Sequence, residues 1–259
     1  GGGDSKQLTT SKENSIFSTS FLPADNRFIY SSDKGGNEIA HIYLQNEDGT
    51  SKDLTPDEKA RAEFYDWSFD RKSFFFGTNK RNEKFMDVYE MDIQSFTPTL
   101  IFQNDSGYGL GAISNDKRYI LGVKTITTNN SDMVLYDRDT RQLSFLTPHQ
   151  GDVNYSPQSF STDSKSYYYL TDEGSEFTYL KRRNIASGSS EKIEDAPWDV
   201  SFASFSRNGK YRIIGINHDA KTEIRLYEQP TNKLIPLPQL PDAEITSVNV
   251  SDDEQFMTF

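Results

Sequence analysis

The residues of this chain that could do chemistry are three histidines, many carboxylates and many serines; cysteine is absent. Without a thiol there is no cysteine nucleophile, no thiolate zinc site and no disulfide. His41, His149 and His218 could meet round one metal ion only if the fold brought them together. By spacing they fall on a third strand of the first repeat, in a loop between repeats, and in the fifth repeat. Metal ligands must meet at a single point, so these placements predict isolated histidines, no metal and no other cofactor. Glu173 and Glu176 form a closely spaced acidic pair of the kind that can move a proton or grip an amine. The stretch Asp172 to Glu176 reads more simply as a solvated loop. Asp25, Asp70, Asp116, Asp163, Asn208 and Asp253 each resemble a catalytic acid or its amide, yet they are separated by 45, 46, 47, 45 and 45 residues. A side chain used once per period is a turn residue that accepts backbone N–H bonds.

Each of those turns is flanked by two strands. Phe160-Ser161-Thr162-Asp163-Ser164-Lys165-Ser166-Tyr167-Tyr168-Tyr169 has counterparts at Trp67 to Phe75, Ile113 to Ile120 and Phe205 to Ile213. A period of about 45 residues with several short strands marks a β-propeller. The first period divides into strands at Ile16–Phe21, Phe28–Ser31, Ala40–Leu44 and Lys52–Leu54. Later periods repeat the pattern, with third strands at Met133–Tyr136 and Phe177–Leu180. Second strands are nearly continuous apolar runs, which predicts burial on both faces. The expected fold is all-β: a β-propeller of four-stranded antiparallel blades, five complete, with partial blades at both ends. The repeats cover approximately 10–55, 56–102, 103–147, 148–194 and 195–240, with partial units at 1–9 and 241–259. The residue after each turn Asp varies (Arg71, Lys117, Ser164, Gly209, Glu254). That variety predicts longer type I loops and argues against a turn demanding positive φ in every blade.

The net charge is −11, from 28 basic and 39 acidic residues. Such acidity argues against nucleic acid or an anionic membrane surface as partner, since both need positive charge at the contact. No apolar run approaches the roughly 20 residues that cross a bilayer. The absence of cysteine fixes no compartment, so periplasm and cytoplasm both stay open. Lys6-Gln7-Leu8-Thr9 matches Lys52-Asp53-Leu54-Thr55 one period later, and Glu254 to Phe259 lies inside a second strand. The spacing therefore predicts a chain cut from a larger propeller.

Several stretches are specific enough to name a family. Phe28-Ile29-Tyr30-Ser31-Ser32-Asp33-Lys34-Gly35-Gly36-Asn37-Glu38, Lys52-Asp53-Leu54-Thr55-Pro56 and Leu146-Thr147-Pro148-His149 are three of them. Others are Thr127-Thr128-Asn129-Asn130-Ser131-Asp132 before Leu135-Tyr136-Asp137, Tyr169 to Phe177, and Trp198-Asp199-Val200. Together, over essentially the whole chain, they resemble the propeller of the prolyl oligopeptidase family of serine peptidases. The single repeat is also shared with periplasmic Tol-type propellers. The peptidase resemblance implies a propeller that restricts access to peptides and helps to hold them, partnered by a C-terminal α/β-hydrolase domain carrying Ser, Asp and His. This chain has no Gly-x-Ser-x-Gly turn to expose a nucleophile, so the resemblance carries no catalytic residue over.

Loops after second strands and between blades are expected to share one face. They would present Arg81, Asn129, Asn130, Glu173 and Glu176 to substrate or hydrolase. The first reading is a substrate-gating and positioning domain of a serine peptidase, with peptide as substrate and the chemistry elsewhere. The second is a Tol-type scaffold for protein–protein interaction without enzymology, and an independent propeller enzyme ranks last for want of a catalytic constellation. The purified chain is expected to hydrolyse neither peptide nor ester. Labelling by a serine-directed fluorophosphonate would overturn that expectation.

Overall fold

The computed structural model describes residues 7–238, 245 and 247–259. The chain divides into two units, residues 1–107 and 108–259. The first unit holds two four-stranded antiparallel meanders. One is β1 (Ile16–Phe21), β2 (Phe28–Ser32), β3 (His41–Gln45) and β4 (Ser51–Asp53). The other is β5 (Ala62–Trp67), β6 (Ser73–Thr78), β7 (Asp87–Asp92) and β8 (Pro98–Phe102).

The second unit holds three more. They are β9 (Gly109–Ile113), β10 (Tyr119–Thr127), β11 (Asn130–Asp137) and β12 (Gln142–Phe145); then β13 (Tyr155–Phe160), β14 (Ser166–Thr171), β15 (Tyr179–Asn184) and β16 (Ser190–Glu194); then β17 (Val200–Phe205), β18 (Tyr211–His218), β19 (Lys221–Glu228) and β20 (Lys233–Ile235). A two-stranded sheet, β21 (Asn249–Val250) and β22 (Met257–Thr258), follows. These sheets are the blades of an all-β propeller fold. Two sequence expectations shift. Gln7 to Thr9 form no strand, while Lys6, Pro241 and the boundary near 240 lie outside the described residues. The third strand of the fourth blade starts at Tyr179, two residues later than expected.

Burial follows the double-faced pattern. Every residue of β6 and of β14 is buried. In β14, Tyr167 and Tyr169 pack with Leu121, Met133 and Leu135 of the preceding blade. Tyr168 and Leu170, pointing the other way, pack with Val200, Ala203, Ile214 and Ile216 of the following blade. One strand thus serves two cores, and each large side chain so buried contributes about 1.5–3 kcal/mol. In the first unit, Ile29, Ile42 and Leu44 meet Phe74, Phe76 and Met91 in the same way. Each first strand carries one bulge opposite its second strand, at Thr19, Tyr65, Gly111, Gln158 and Ser201. The bulged Gln158 accepts the Ala203 N–H at 3.0 Å, tying two first strands together.

The turn between first and second strands is built on serine. The hydroxyls of Ser68, Ser114, Ser161 and Ser251 donate to Asp70, Asp116, Asp163 and Asp253 at 2.5–2.6 Å. Each hydroxyl also accepts the backbone N–H five residues on. The loops are indeed longer than two residues, but positive φ does recur. Arg71, Lys117, Ser164, Gly209 and Glu254 stand at φ 59°, 63°, 59°, 75° and 58°. The left-handed conformation costs about 1–2 kcal/mol for a non-glycine residue. The serine and aspartate bonds offset it, which is why glycine is not required. The first blade departs: Leu22 takes the serine place, and Asp25 stands one position beyond the other turn carboxylates.

The fifth blade has Asn208 where the others have Asp, and the missing carboxylate arrives from elsewhere. Glu254 Oε1 accepts the Ser206 hydroxyl at 2.5 Å and the Asn208 N–H at 3.0 Å. In the preceding pair of blades the residue equivalent to Glu254 is Ser164, whose hydroxyl accepts the Asp116 N–H at 3.2 Å. Restoring the repeat residue alone should therefore harm: Asn208→Asp sets a second carboxylate against Glu254 and is expected to destabilise by about 1 kcal/mol. Asn208→Asp with Glu254→Ser is expected to recover the loss, and denaturant melts of the cycle measure the coupling. Additive effects would show that Glu254 does not replace the turn aspartate.

Candidate functional site

Arg81, in the β6–β7 loop of the first unit, is committed inside the fold. Its Nε and one terminal nitrogen donate to Asp87 at 2.7 and 2.8 Å, and the same terminal nitrogen donates to the Asn104 carbonyl at 2.9 Å. The other terminal nitrogen pairs with Asp105 at 2.9 Å. The Asp87 side chain is only 1% exposed. A buried carboxylate without a partner is strongly destabilising, and Arg81 supplies that partner. The hydrogen bond to Asp87 is the largest cause holding the Arg81 guanidinium above its ordinary range. Arg81 therefore anchors the start of β7 to the loop that follows β8.

The other expected residues lie in the second unit. The loop expected to carry Asn129 and Asn130 up to Met133 shortens to a tight turn, because β10 runs to Thr127 and β11 begins at Asn130. Asn129 stays exposed in that turn, with its N–H directed to Thr127 Oγ1 at 3.3 Å. Asn130 instead joins a polar chain. Its Nδ2 donates to Asp152 at 3.1 Å, and its Oδ1 faces His149 Nε2 at 3.1 Å. His149 Nδ1 lies 2.8 Å from the Thr147 carbonyl, with Asp132 at 3.7 Å.

The His149 ring packs on Tyr155, with centroids 5.4 Å apart. Tyr155 donates its hydroxyl to Glu173 Oε1 at 3.2 Å, and Lys181 Nζ approaches Glu173 Oε2 at 2.7 Å. Tyr179 donates to the Glu173 carbonyl at 3.0 Å. Burial first, then the Glu173 charge, pushes the Tyr155 phenol well above its ordinary value, so it remains a donor. Glu173 is held below its ordinary value, foremost by the Lys181 hydrogen bond.

One expectation changes here, and one alternative drops out. His149 is not isolated, since it bridges Asn130 and Tyr155. Glu173 and Glu176 do not act as a pair: Glu173 is tethered at both carboxylate oxygens, while Glu176 is exposed with no hydrogen bond or ion pair among the described residues. The other histidines lie apart. His41 is buried against Asp53 at 2.7 Å in the first unit, and His218 faces Glu223 at 3.3 Å. No group of three metal-ligating side chains converges among the described residues.

His149, Tyr155 and Lys181 were not expected as site residues. The signal for Tyr155 was strand pairing: it opens a first strand and registers with Thr171, two residues before Glu173. The assembly has both ring nitrogens of His149 facing oxygen atoms, so this histidine activates no hydroxyl. What it offers is a fixed surface of carboxylate and amide groups, suited to N–H donors and ammonium groups.

The charge on Glu173 should show in acid. A carboxyl depressed by folding adds stability that is present above its unfolded value and lost as pH falls through the folded one. That unfolded value is near 4.5. Glu173→Gln is expected to flatten the acid limb of stability below about pH 4.5 and to cost under about 1 kcal/mol at neutral pH, since the pair is half exposed. Thermal melts across that range measure it, and an unaltered acid limb would remove Glu173 from the network.

The model of the prolyl oligopeptidase N-terminal β-propeller domain matches residues 4–259. Dipeptidyl aminopeptidase BIII of Pseudoxanthomonas mexicana is 26% identical over 195 residues, covering 73% of this chain and 28% of that protein. The chain thus spans under a third of the length of that relative. Prolyl oligopeptidase B of Galerina marginata, solved with a 35mer hydrolysis and macrocyclization substrate, superposes with a TM-score of 0.68 at 14% identity, over 95% of this chain and 37% of that one. TolB from Acinetobacter baumannii superposes at 0.59 and 18% identity, over 89% and 57%. At such identities both structures speak for the fold alone. The family match, running from one end of the repeats to the other, places this chain among the N-terminal β-propeller domains of the prolyl oligopeptidase family.

Proposed function

We propose that this chain is the substrate-gating and positioning propeller of a serine peptidase that hydrolyses peptides, with the catalytic residues on an α/β-hydrolase domain of the parent chain. The observation that carries this reading is the family match over residues 4–259. The polar chain from Asp152 to Glu173 supports it. Its two carboxylates sit on loops but are held by the strand residues Asn130, Tyr155 and Lys181, so a peptide bound there would meet pre-placed acceptors. Orientation of this kind lowers the entropic part of a barrier without taking part in bond making. Gating adds selection by size, since a peptide passes where a folded protein does not.

A second reading is a Tol-type scaffold that binds protein without hydrolysis; the likeness to TolB shows the shared fold and does not choose between the two. The two separate in the parent protein. Under the gating reading, Glu173→Ala is expected to raise KM for a peptide substrate by about two- to tenfold while leaving hydrolysis of a small ester unchanged. Equal loss on both substrates, or no change on either, would defeat substrate positioning by this surface. A parent devoid of peptidase activity would favour the scaffold.

A further inference from the structure

The repeat prescribes an apolar side chain one residue into each second strand. Counting along from the turn position, that place holds Phe28, Phe74, Ile120 and Tyr167, at 7%, 0%, 2% and 1% exposure. In the fifth blade the equivalent place is Arg212, which is 3% exposed. A guanidinium has taken a position that every preceding blade fills with an apolar group. Burying a charge costs several kcal/mol unless it is closely paired.

The pairing around Arg212 is incomplete. Its terminal nitrogens donate to the neutral amide oxygens of Gln229 at 2.9 Å and Asn232 at 2.7 Å. Tyr227 lies under the guanidinium, 4.5 Å from ring centroid to Cζ. The nearest carboxylate, Glu194, stands 3.9 Å away and is engaged more closely by Arg225 at 2.9 Å and the Tyr227 hydroxyl at 3.1 Å. Arg212 Nε has no acceptor among the described residues. Burial accordingly pushes the guanidinium below its ordinary value.

Arg212 also lines a cleft of about 460 Å³ between the fourth and fifth blades, together with Arg182, Lys192 and Asn232. Three cations and a single carboxylate, Glu191, line it, in a chain of net charge −11. Arg182 is half exposed and only loosely paired, to Glu191 at 3.4 Å, whereas the Lys192 ammonium is taken up by Asp195 at 3.1 Å and by the Tyr179 ring at 4.4 Å. Asn232 uses its carbonyl oxygen on Arg212, and its amide nitrogen makes no hydrogen bond among the described residues.

We propose that this cleft is an oxyanion-binding site, with Arg212 as its buried base, Arg182 at its rim, and a phosphate or carboxylate group as ligand. Forked guanidinium donors match both groups in geometry, and a bound anion would supply the charge that Gln229 and Asn232 do not. The site shares no residue with the His149–Glu173 surface and does not depend on the peptidase reading.

The test uses the purified chain, titrated calorimetrically and by thermal melting with sodium phosphate and with sodium succinate, each against sodium chloride at equal ionic strength. Saturable binding and a raised Tm beyond the chloride control are expected for at least one of the two, and the one that binds identifies the ligand class. Arg212→Met restores the apolar pattern of the other blades. It is expected to fold, to be at least as stable without anion, and to bind at least about tenfold more weakly. Arg182→Ala, at the exposed rim, is expected to bind about threefold more weakly. No saturable effect beyond chloride in the native chain overturns the site, as does native affinity in Arg212→Met. Should that variant fail to fold, native affinity in Arg182→Ala overturns it instead.

Discussion

The second strand of each complete blade is the constraint on which the rest of this structure depends. Within the second unit, β14 is covered on both faces, so its successive side chains enter different cores. In β14 this divides three consecutive tyrosines: Tyr167 and Tyr169 belong to one cluster and Tyr168 to the next. A strand in that position has no solvated face on which to place charge. The outer strands carry the polar load: in β16, Ser190, Glu191 and Lys192 are exposed. Such edges discourage pairing with other chains. Arg212 matters because it breaks this rule at a place that is only 3% exposed.

Stacking requires that blades keep register, and in every complete blade but the first a serine turn provides it at one end. Side-chain and backbone hydrogen bonds together close each regular turn, and they hold a non-glycine residue in a left-handed conformation that it would otherwise avoid. That strained residue then reaches the neighbouring blade, as Ser164 and Glu254 do. A local turn thereby becomes a link between repeats. In the fifth blade the link and the cap are one carboxylate, so loss of the turn aspartate at Asn208 and gain of Glu254 compensate each other.

At the other end of the blades, charge is used in two ways. Arg81 turns inward and neutralises Asp87, so it belongs to the architecture. Glu173 turns outward, restrained by Tyr155 and Lys181 but with its side chain 45% exposed. The first arrangement buries its ion pair and leaves little for a ligand. The second keeps acceptor oxygens at the surface with their directions set, which is what positioning of a peptide would require.

The sequence by itself determined the periodic part of this protein. The spacing of Asp70, Asp116 and Asp163, the apolar second strands and the absence of a nucleophile turn were all legible in one dimension, because a repeat imposes the same local demand many times. Strand edges were off by as much as three or four residues, where β10 and β11 run on to Thr127 and back to Asn130, since main-chain hydrogen bonds rather than side-chain types end a strand. Only the tertiary structure decided what happens once. That His149 meets Asn130 and Tyr155, that Glu173 parts company with Glu176, and that Glu254 caps a turn 46 residues earlier all depend on contacts between segments far apart in the chain. No period announces such contacts, because a single charge or hydroxyl takes its role from the particular group that folding sets opposite it.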